Sequence, residues 1–219
     1  ILKVAGVEGG IVDGKFTGRA RVFEGEPALI AALREKGVAV LAEGVAEGVV
    51  VWATGAAGLE QLSRHFGQPV GAGVKGQAIA LRHDADALPQ LFADALHIVP
   101  HADGTTAIGS TSENDWQDPS ATDAQLDDIL TRARAALPVL NEAKVLDRWA
   151  GIRPRARSRA PMLGPWPDRP GHFIANGGFK IGFGMAPKVA QTMADLILNG
   201  QDTIPPGFHV DANLQARGR

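Results

Sequence analysis

The sequence predicts a mixed α/β fold, and three of its segments carry that prediction. The segment EPALIAALREKG (26–37) has the pattern of a helix, with Pro27 in its first turn and Gly37 at its end. The run GVVVWATGA (48–56) is continuously apolar and ends in Thr and Gly, which is typical of a strand buried on both faces. The segment LHIVPHADGTTAIGST (96–111) contains an Asp-Gly pair at its middle, which predicts a β-hairpin.

The other elements follow from the same signals in chain order. Thr122 and Gln125 have the spacing of a capping box at the start of a helix, and Pro138 marks its end. Pro187 is predicted in the first turn of the last helix, and Gly200 marks the end of that helix. The remaining predicted strands are 19–23, 38–41, 73–81, 143–154 and 172–176, and the remaining predicted helices are 58–67, 122–136 and 186–200.

Composition excludes several classes of function. The chain has 219 residues, of which 45% are hydrophobic, and this is enough to build a sizeable core. With a formal net charge of -2, no global field attracts nucleic acid, so that partner is not expected. No run approaches the ~18 apolar residues that span a bilayer, and no secretory signal opens the chain, so we expect a soluble, cytoplasmic protein. The absence of cysteine excludes disulfides and thiolate chemistry, and no cluster of His and carboxylates predicts a metal site.

Four arginines occupy alternate positions in GIRPRARSRAPMLG (151–164). In an extended strand, side chains two residues apart lie on the same face, so these cations would crowd one face and repel one another. The pattern leaves open a solvated strand end, a carboxylate or phosphate clamp, and a nucleic-acid strip. The four residues are Arg153, Arg155, Arg157 and Arg159.

The segment GAGVKG (71–76) fits the G-x-G-x-x-G pattern of a dinucleotide-binding turn. Its context argues against that function, because it follows the polar RHFGQP and continues into QAIAL, which has the pattern of a strand. We expect no phosphate site here.

The glycine-rich segment ANGGFKIGFGMAP (175–187) is more informative. A predicted strand leads through it into a predicted helix, so that backbone N–H groups and the positive end of the helix dipole face one spot. Such a turn suits an anion or an electron-rich ring edge, although an ordinary strand-to-helix turn has the same pattern. Lys180 adds a cation at that spot and favours a binding site.

These segments together resemble a known family. VVVWATGAAGLEQL, GVKGQAIAL, LHIVPHADGTTAIGST, LPVLNEAKVLDRWAGIRP and GGFKIGFGMAP occur in the order, and at nearly the spacing, seen in glycine, sarcosine and D-amino-acid oxidases. The resemblance covers roughly residues 48–200, and the pairing of WAGIRP with GGFKIGFGMAP is its most specific part. It implies a partial FAD-binding α/β domain (1–70 and 165–219) and an antiparallel-sheet substrate domain (71–164) of the D-amino-acid oxidase type.

The resemblance also implies roles for individual residues. Arg153, the Arg of the GIRP motif, would bind the substrate carboxylate through its planar fork, and Lys180 would be the second cation at that carboxylate. His101 is a weaker site candidate, because relatives often place a polar residue there, whereas His97 is expected to be structural. The implied FAD contacts are Ala53, Thr54 and Gly55 for the dinucleotide half, and Gly178, Phe179, Lys180, Ile181, Gly182, Phe183 and Gly184 for the flavin ring.

The sequence departs from this family in three ways. Relatives usually have Thr-Pro-Asp where this chain has Ala156, Arg157 and Ser158, and many have active-site tyrosines, of which this chain has none. The extra arginines could widen the site for a dianionic substrate, contact an acidic partner or be solvated, and we expect solvation. Residues 1–47 supply no dinucleotide-binding turn. The chain is therefore expected to be a fragment or ordered part of a longer enzyme, or a paralogue without FAD, and not to hold FAD tightly by itself.

The sequence leaves three functional hypotheses. The first is an FAD-dependent oxidoreductase that oxidises a small amino acid or N-methyl amino acid and passes electrons to oxygen or a carrier. The second is a non-catalytic module that retains the carboxylate pocket, and the third is an oxidase domain for a modified tRNA base, with the arginines as phosphate contacts. In every case we predict one sheet from residues near 38–41, 48–53 and 172–176, and a separate antiparallel sheet from 72–82 and 95–153, instead of one closed barrel.

Overall fold

The structure is a computed structural model that describes residues 5–12, 15–22, 26–39 and 48–216. The chain divides into two units. The first consists of Ile1–Gly73 and Arg153–Arg219, and the second of Val74–Ile152. The sequence predicts an FAD-binding domain (1–70 and 165–219) and a substrate domain (71–164). These functions of the two units stay a prediction.

Strands and helices are interspersed along the described residues, as expected for a mixed α/β chain. The strands are β1 (Ala5–Val12), β2 (Lys15–Val22), β3 (Val50–Trp52), β4 (Gly71–Arg82), β5 (Leu91–Ala93), β6 (Leu96–Pro100), β7 (Thr105–Gly109), β8 (Val145–Ala156), β9 (Met162–Pro165) and β10 (His172–Asn176). The helices are α1 (Glu26–Glu35), α2 (Gly55–Phe66), α3 (Gln125–Ala136), α4 (Gly182–Asn199) and α5 (Val210–Gln215). Short 3₁₀ turns cover Pro138–Leu140, Phe179–Ile181 and Pro206–Phe208.

The first unit contains a three-stranded sheet in the order β3-β10-β9. β10 pairs parallel with β3 and antiparallel with β9. Leu59 and Leu62 of α2 pack on this sheet with Ile174 of β10, and all three side chains are buried. The predicted strands at 48–53 and 172–176 are confirmed. The predicted strand at 38–41 is not found, because residues 38 and 39 have no regular structure, and residues 40 and 41 lie outside the described residues.

The second unit is formed mostly by an antiparallel sheet in the order β5-β6-β7-β4-β8. Its core lies between this sheet and α3, where Ile79, Ile108 and Leu126 are almost fully buried. The predicted hairpin is confirmed, since β6 and β7 flank a turn in which Gly104 has φ +78°. The described strands form three sheets, because β1 and β2 pair antiparallel as a separate two-stranded sheet. The other two are the predicted sheets, the first without a strand at 38–41, and β9 and β5 are short additions to them that the prediction lacked.

Three predicted helix starts are wrong, and the first of them is that of α2, which begins at Gly55 and not at residue 58. α3 begins one turn later than the predicted capping box: the carboxylate of Asp123 accepts a hydrogen bond from the backbone N–H of Gln125 (2.9 Å), and Thr122 does not cap the helix. α4 begins at Gly182 and not at residue 186, so Pro187 lies inside the helix. No helix of the described residues is long and apolar enough to cross a bilayer.

Candidate functional site

Two strand-to-helix turns meet at one edge of the three-stranded sheet. β3 and β10 run parallel, with Val50 beside His172 and Trp52 beside Ile174, so their carboxyl ends lie together. β3 leads through Ala53 and Thr54 into α2, and β10 leads through a glycine pair into the 3₁₀ turn and α4. In open α/β sheets, ligands bind at this carboxyl edge. The two predicted cofactor segments are therefore placed side by side.

Asn176 fastens these two turns to each other. Its side-chain Nδ2 donates a hydrogen bond to the carbonyl oxygen of Gly55 (3.0 Å), and its Oδ1 accepts one from the backbone N–H of Gly177 (2.7 Å). The residue is buried, with 7% of its surface exposed, so these bonds are shielded from water. Asn176 was not among the site residues predicted from the sequence. Its signal was a polar residue at the last position of a buried strand, directly before the glycine pair.

The glycines of the two turns fall into two groups. A Cβ on Gly177 would lie 2.5 Å from the Cβ of Ala156, so this glycine, with φ +79°, permits close packing against the end of β8. Around Gly55, Gly182 and Gly184, by contrast, no heavy atom of the described residues, apart from the adjoining backbone, lies within 4 Å of the position that a Cβ would occupy. The backbone at these three positions is open to a ligand.

Two cations lie near the ring of Phe179, which belongs to the second turn. The Arg155 Cζ is 5.6 Å and the Lys180 Nζ is 5.7 Å from the ring centroid, within the range of cation–π attraction. Arg155 is held there because its backbone bridges to Gly178. Arg153 lies two residues earlier on β8 and therefore on the same face of the strand.

The other two arginines of the alternating set, Arg157 and Arg159, do not contact the Phe179 ring. The Nη2 of Arg157 donates hydrogen bonds to the Gln68 side chain (3.2 Å) and to the carbonyl oxygen of Asn213 in α5 (3.1 Å). Arg159 is exposed on the turn after β8, with φ +63°. The expectation of three solvated arginines is therefore correct for Arg159 and wrong for Arg155 and Arg157. β8 continues past Pro154 to Ala156 and carries Arg155 to the Phe179 ring, and Arg157, directly after β8, is held by its hydrogen bonds to Gln68 and Asn213.

The remaining candidates lie in the second unit. His101 is buried, and its backbone N–H closes the hairpin by donating to Thr105 (2.8 Å). Its predicted role in the site stays a prediction. His97 is exposed and contacts Gln90, which agrees with a structural role. Within the described ranges, no three His or carboxylate side chains cluster in a way that could hold a metal ion.

Comparison with known proteins places the chain in a family. Residues 17–196 match the model of the DAO family, which is described as FAD dependent oxidoreductase. The chain belongs to this family. The sequence resemblance is thereby confirmed, as is the fold class, a partial FAD-binding α/β domain with an antiparallel-sheet domain of the D-amino-acid oxidase type.

Several relatives of this DAO family chain are named for the oxidation of amino acids. The glycine oxidase of Pseudomonas aeruginosa is 32% identical over 140 residues, which cover 64% of this chain and 38% of that protein. The structure of glycine oxidase from Bacillus cereus superposes with a TM-score of 0.65 and 29% identity, covering 77% of this chain and 46% of the other. Iminodiacetate oxidase from Chelativorans sp. BNC1 shares the fold, with a TM-score of 0.68 at 21% identity. The chain spans less than half the length of each relative's own chain.

The described residues of this DAO family member fit part of an FAD. The open backbone at Gly55, Gly182 and Gly184 would allow a flat ring and a phosphate-bearing chain to approach closely, at the positive ends of α2 and α4. A G-x-G-x-x-G turn between a strand and a helix is not found among the described residues, since GAGVKG lies within β4, as its context predicted. The fit therefore concerns the flavin ring and the neighbouring part of the cofactor.

Proposed function

We propose that this chain forms the substrate-facing part of an enzyme that oxidises the C–N bond of a small amino acid or N-methyl amino acid. The observation that supports this most directly is the arrangement at one sheet edge: two open glycine turns joined by Asn176, with the cations of Arg155 and Lys180 beside them. An open backbone suits the flavin, and cations suit the carboxylate that all amino acids share.

Bound FAD would supply the acceptor for the two electrons and the hydrogen that leave the carbon attached to the amine nitrogen. The role of the chain is to bind and orient the substrate. Arg153 would pair both carboxylate oxygens through its planar fork, and Lys180 would add a second positive charge. This fixes the carboxylate, so that the C–H bond to be broken points in one direction. The imine product reacts with water and releases ammonia or a primary amine, and oxygen or an electron carrier takes the electrons.

The backbone at the start of α4 would serve the same reaction electrostatically. The N–H groups of the first helical turn carry partial positive charge, and Gly182 and Gly184 leave them uncovered. Negative charge that develops on the acceptor side during oxidation is stabilised by such groups without their having to reorganise.

The test combines a spectrum with kinetics on the full-length protein. We expect bound flavin in the visible spectrum, and amine-dependent loss of its absorbance in the absence of oxygen. Arg153→Lys should raise KM about tenfold or more, because a point charge cannot replace the two-pronged pairing, while the exposed Arg159→Lys should leave KM within about twofold.

Three outcomes would contradict the proposal. Unchanged KM and kcat in Arg153→Lys would show that this residue does not bind substrate. Carboxylate binding without flavin or turnover would favour a non-catalytic module. Binding of tRNA that weakens steeply with added salt would favour the modified-base hypothesis.

A further inference from the structure

The two cations around Phe179 have no acidic partner. Among the described residues, neither Arg155 nor Lys180 forms an ion pair with an Asp or Glu, whereas Arg64, Arg132 and Arg148 all do. Because both charges lie within 5.7 Å of one ring centroid, they are no more than twice that distance apart. Two like charges held this close repel each other, and the repulsion is reduced when an anion binds between or beside them.

The combined positive charge of Arg153, Arg155 and Lys180 exceeds what one carboxylate requires. If Arg153 and Lys180 hold one carboxylate, as the proposed function states, Arg155 remains as a further positive charge beside them. Arg155 follows Arg153 by two strand positions, which separates their Cα atoms by about 6.6 Å. A ligand whose two carboxylates are joined by a short carbon chain can bridge that spacing.

We propose that Arg155 is a specificity residue that selects substrates with a second carboxylate. The inference rests on the proposed function, since it assigns the substrate class of that same site: an amino acid or N-substituted amino acid with two acidic groups. Arg153 and Lys180 bind the carboxylate next to the reacting carbon, and Arg155 binds the second carboxylate. The ring keeps Arg155 in place through cation–π contact and leaves the guanidinium N–H groups free to meet the ligand.

The test uses two unreactive ligands of equal chain length, so that binding is measured without turnover. Succinate carries two carboxylates and butyrate one. By isothermal titration calorimetry of the full-length protein with its flavin, we expect succinate to bind at least about tenfold more tightly than butyrate, the factor that ~1.4 kcal/mol of additional binding gives.

Substitutions of single arginines test whether the preference for succinate over butyrate depends on Arg155. Arg155→Gln should reduce succinate affinity about tenfold and leave butyrate within about twofold, whereas Arg155→Lys should retain most of the succinate affinity, because it keeps the charge. The matched control, Arg159→Gln, should change neither affinity. Lys180→Gln, at an exposed position, should weaken both ligands by a similar factor, because Lys180 serves the first carboxylate, and Arg155→Met, which keeps an apolar stem beside Phe179, provides the test of the preference if Arg155→Gln does not fold.

The outcomes separate this inference from the proposed function. Equal binding of the two ligands in the unmodified protein, or an unchanged ratio in Arg155→Gln, overturns the inference and leaves the proposed function standing. Loss of both ligands in Arg155→Gln also overturns it, because Arg155 would then belong to the general carboxylate site. Failure of both ligands to bind the unmodified protein overturns the inference together with the carboxylate site of the proposed function.

Discussion

Arg157 joins the end of β8 to the last helix of the chain. Besides its bonds to Gln68 and Asn213, its Nη2 donates to the carbonyl oxygen of Leu214, and its backbone N–H donates to Val70 (2.8 Å). Its Nε is buried without a hydrogen bond. A guanidinium placed in this way is structural, since its Nη2 donates to three acceptors of the protein.

We predict that Arg157→Met destabilises the protein by about 1–3 kcal/mol, because three acceptors lose a charged hydrogen-bond donor. Methionine keeps an unbranched apolar stem, so the loss reports the polar contacts. Urea unfolding monitored by circular dichroism would measure it, and hydrogen exchange over Val210–Gln215 should become faster. Arg159→Met, at an exposed position, should shift stability by less than about 0.5 kcal/mol. Equal stability of the two variants would contradict this account of Arg157.

The common face of Arg153 and Arg155 could be predicted from the sequence, because alternation is a property of every strand. Their partners could not. Phe179 and the carbonyl groups of α5 come from segments far along the chain. No local pattern therefore predicts that Arg155 contacts an aromatic ring while Arg157 binds carbonyl oxygens. Asn176 was missed for the same reason, because its partner Gly55 precedes it by 121 positions.

At the scale of elements, the start of α3 depends on a carboxylate. Asp123 accepts a bond from the backbone N–H of Gln125 (2.9 Å), and its own N–H donates to the buried Gln77 side chain (2.9 Å). The pKa of Asp123 lies below its ordinary value of 3.8, first because the backbone N–H of Gln125 donates to its carboxylate and second because the carboxylate is hydrogen-bonded to the Gln77 side chain. A lowered folded-state pKa means that the ionised form stabilises the folded protein, fully so above the ordinary value.

We predict that Asp123→Ala lowers the urea midpoint at pH 7 and that its difference from the unmodified protein shrinks below about pH 4. The sign follows from the lowered pKa: as the pH falls through it, Asp123 in the unmodified protein takes up a proton and loses the same stabilisation. Thr122→Ala is the matched control, because Thr122 does not cap the helix. A midpoint difference that is constant from pH 7 to about pH 3, or an equal effect of Thr122→Ala, would contradict the prediction.

Long elements with clear periodicity were predictable, and short ones were not. β4, β8 and α3 have enough residues for their patterns to stand out, whereas β5 and β9 have three and four residues, too few to show a period. The pairing of β1 with β2 has a sequence signal of its own, because the Asp13-Gly14 pair between them is of the same type as Asp103-Gly104. The exact start of a helix depends on which side chain reaches a backbone N–H, and spacing alone did not separate Thr122 from Asp123.

At the scale of the whole molecule, β3 shows where the predicted burial was wrong. The sequence predicted a strand covered on both faces, yet Val49 and Val51 are 54% and 43% exposed. Within the described part of the chain, β3 pairs only with β10 and so lies at the edge of its sheet. An apolar run indicates that a strand prefers burial but does not identify the segment that covers it. This chain spans 38% of the glycine oxidase of Pseudomonas aeruginosa and 46% of that of Bacillus cereus.

We predict that the 219-residue chain self-associates through this edge when it is prepared by itself. Parallel strands are normally buried on both faces, and an exposed apolar strand edge offers unpaired N–H and C=O groups to a second copy. Sedimentation velocity should show an average mass that rises with concentration. Val51→Lys should suppress the rise, because a charge on an edge strand must be desolvated on pairing, whereas Leu88→Lys, which makes the same change at a loop residue that is 64% exposed, should not. A mass that stays at 22.9 kDa at all concentrations, or equal suppression by both substitutions, would show that β3 is not the associating surface.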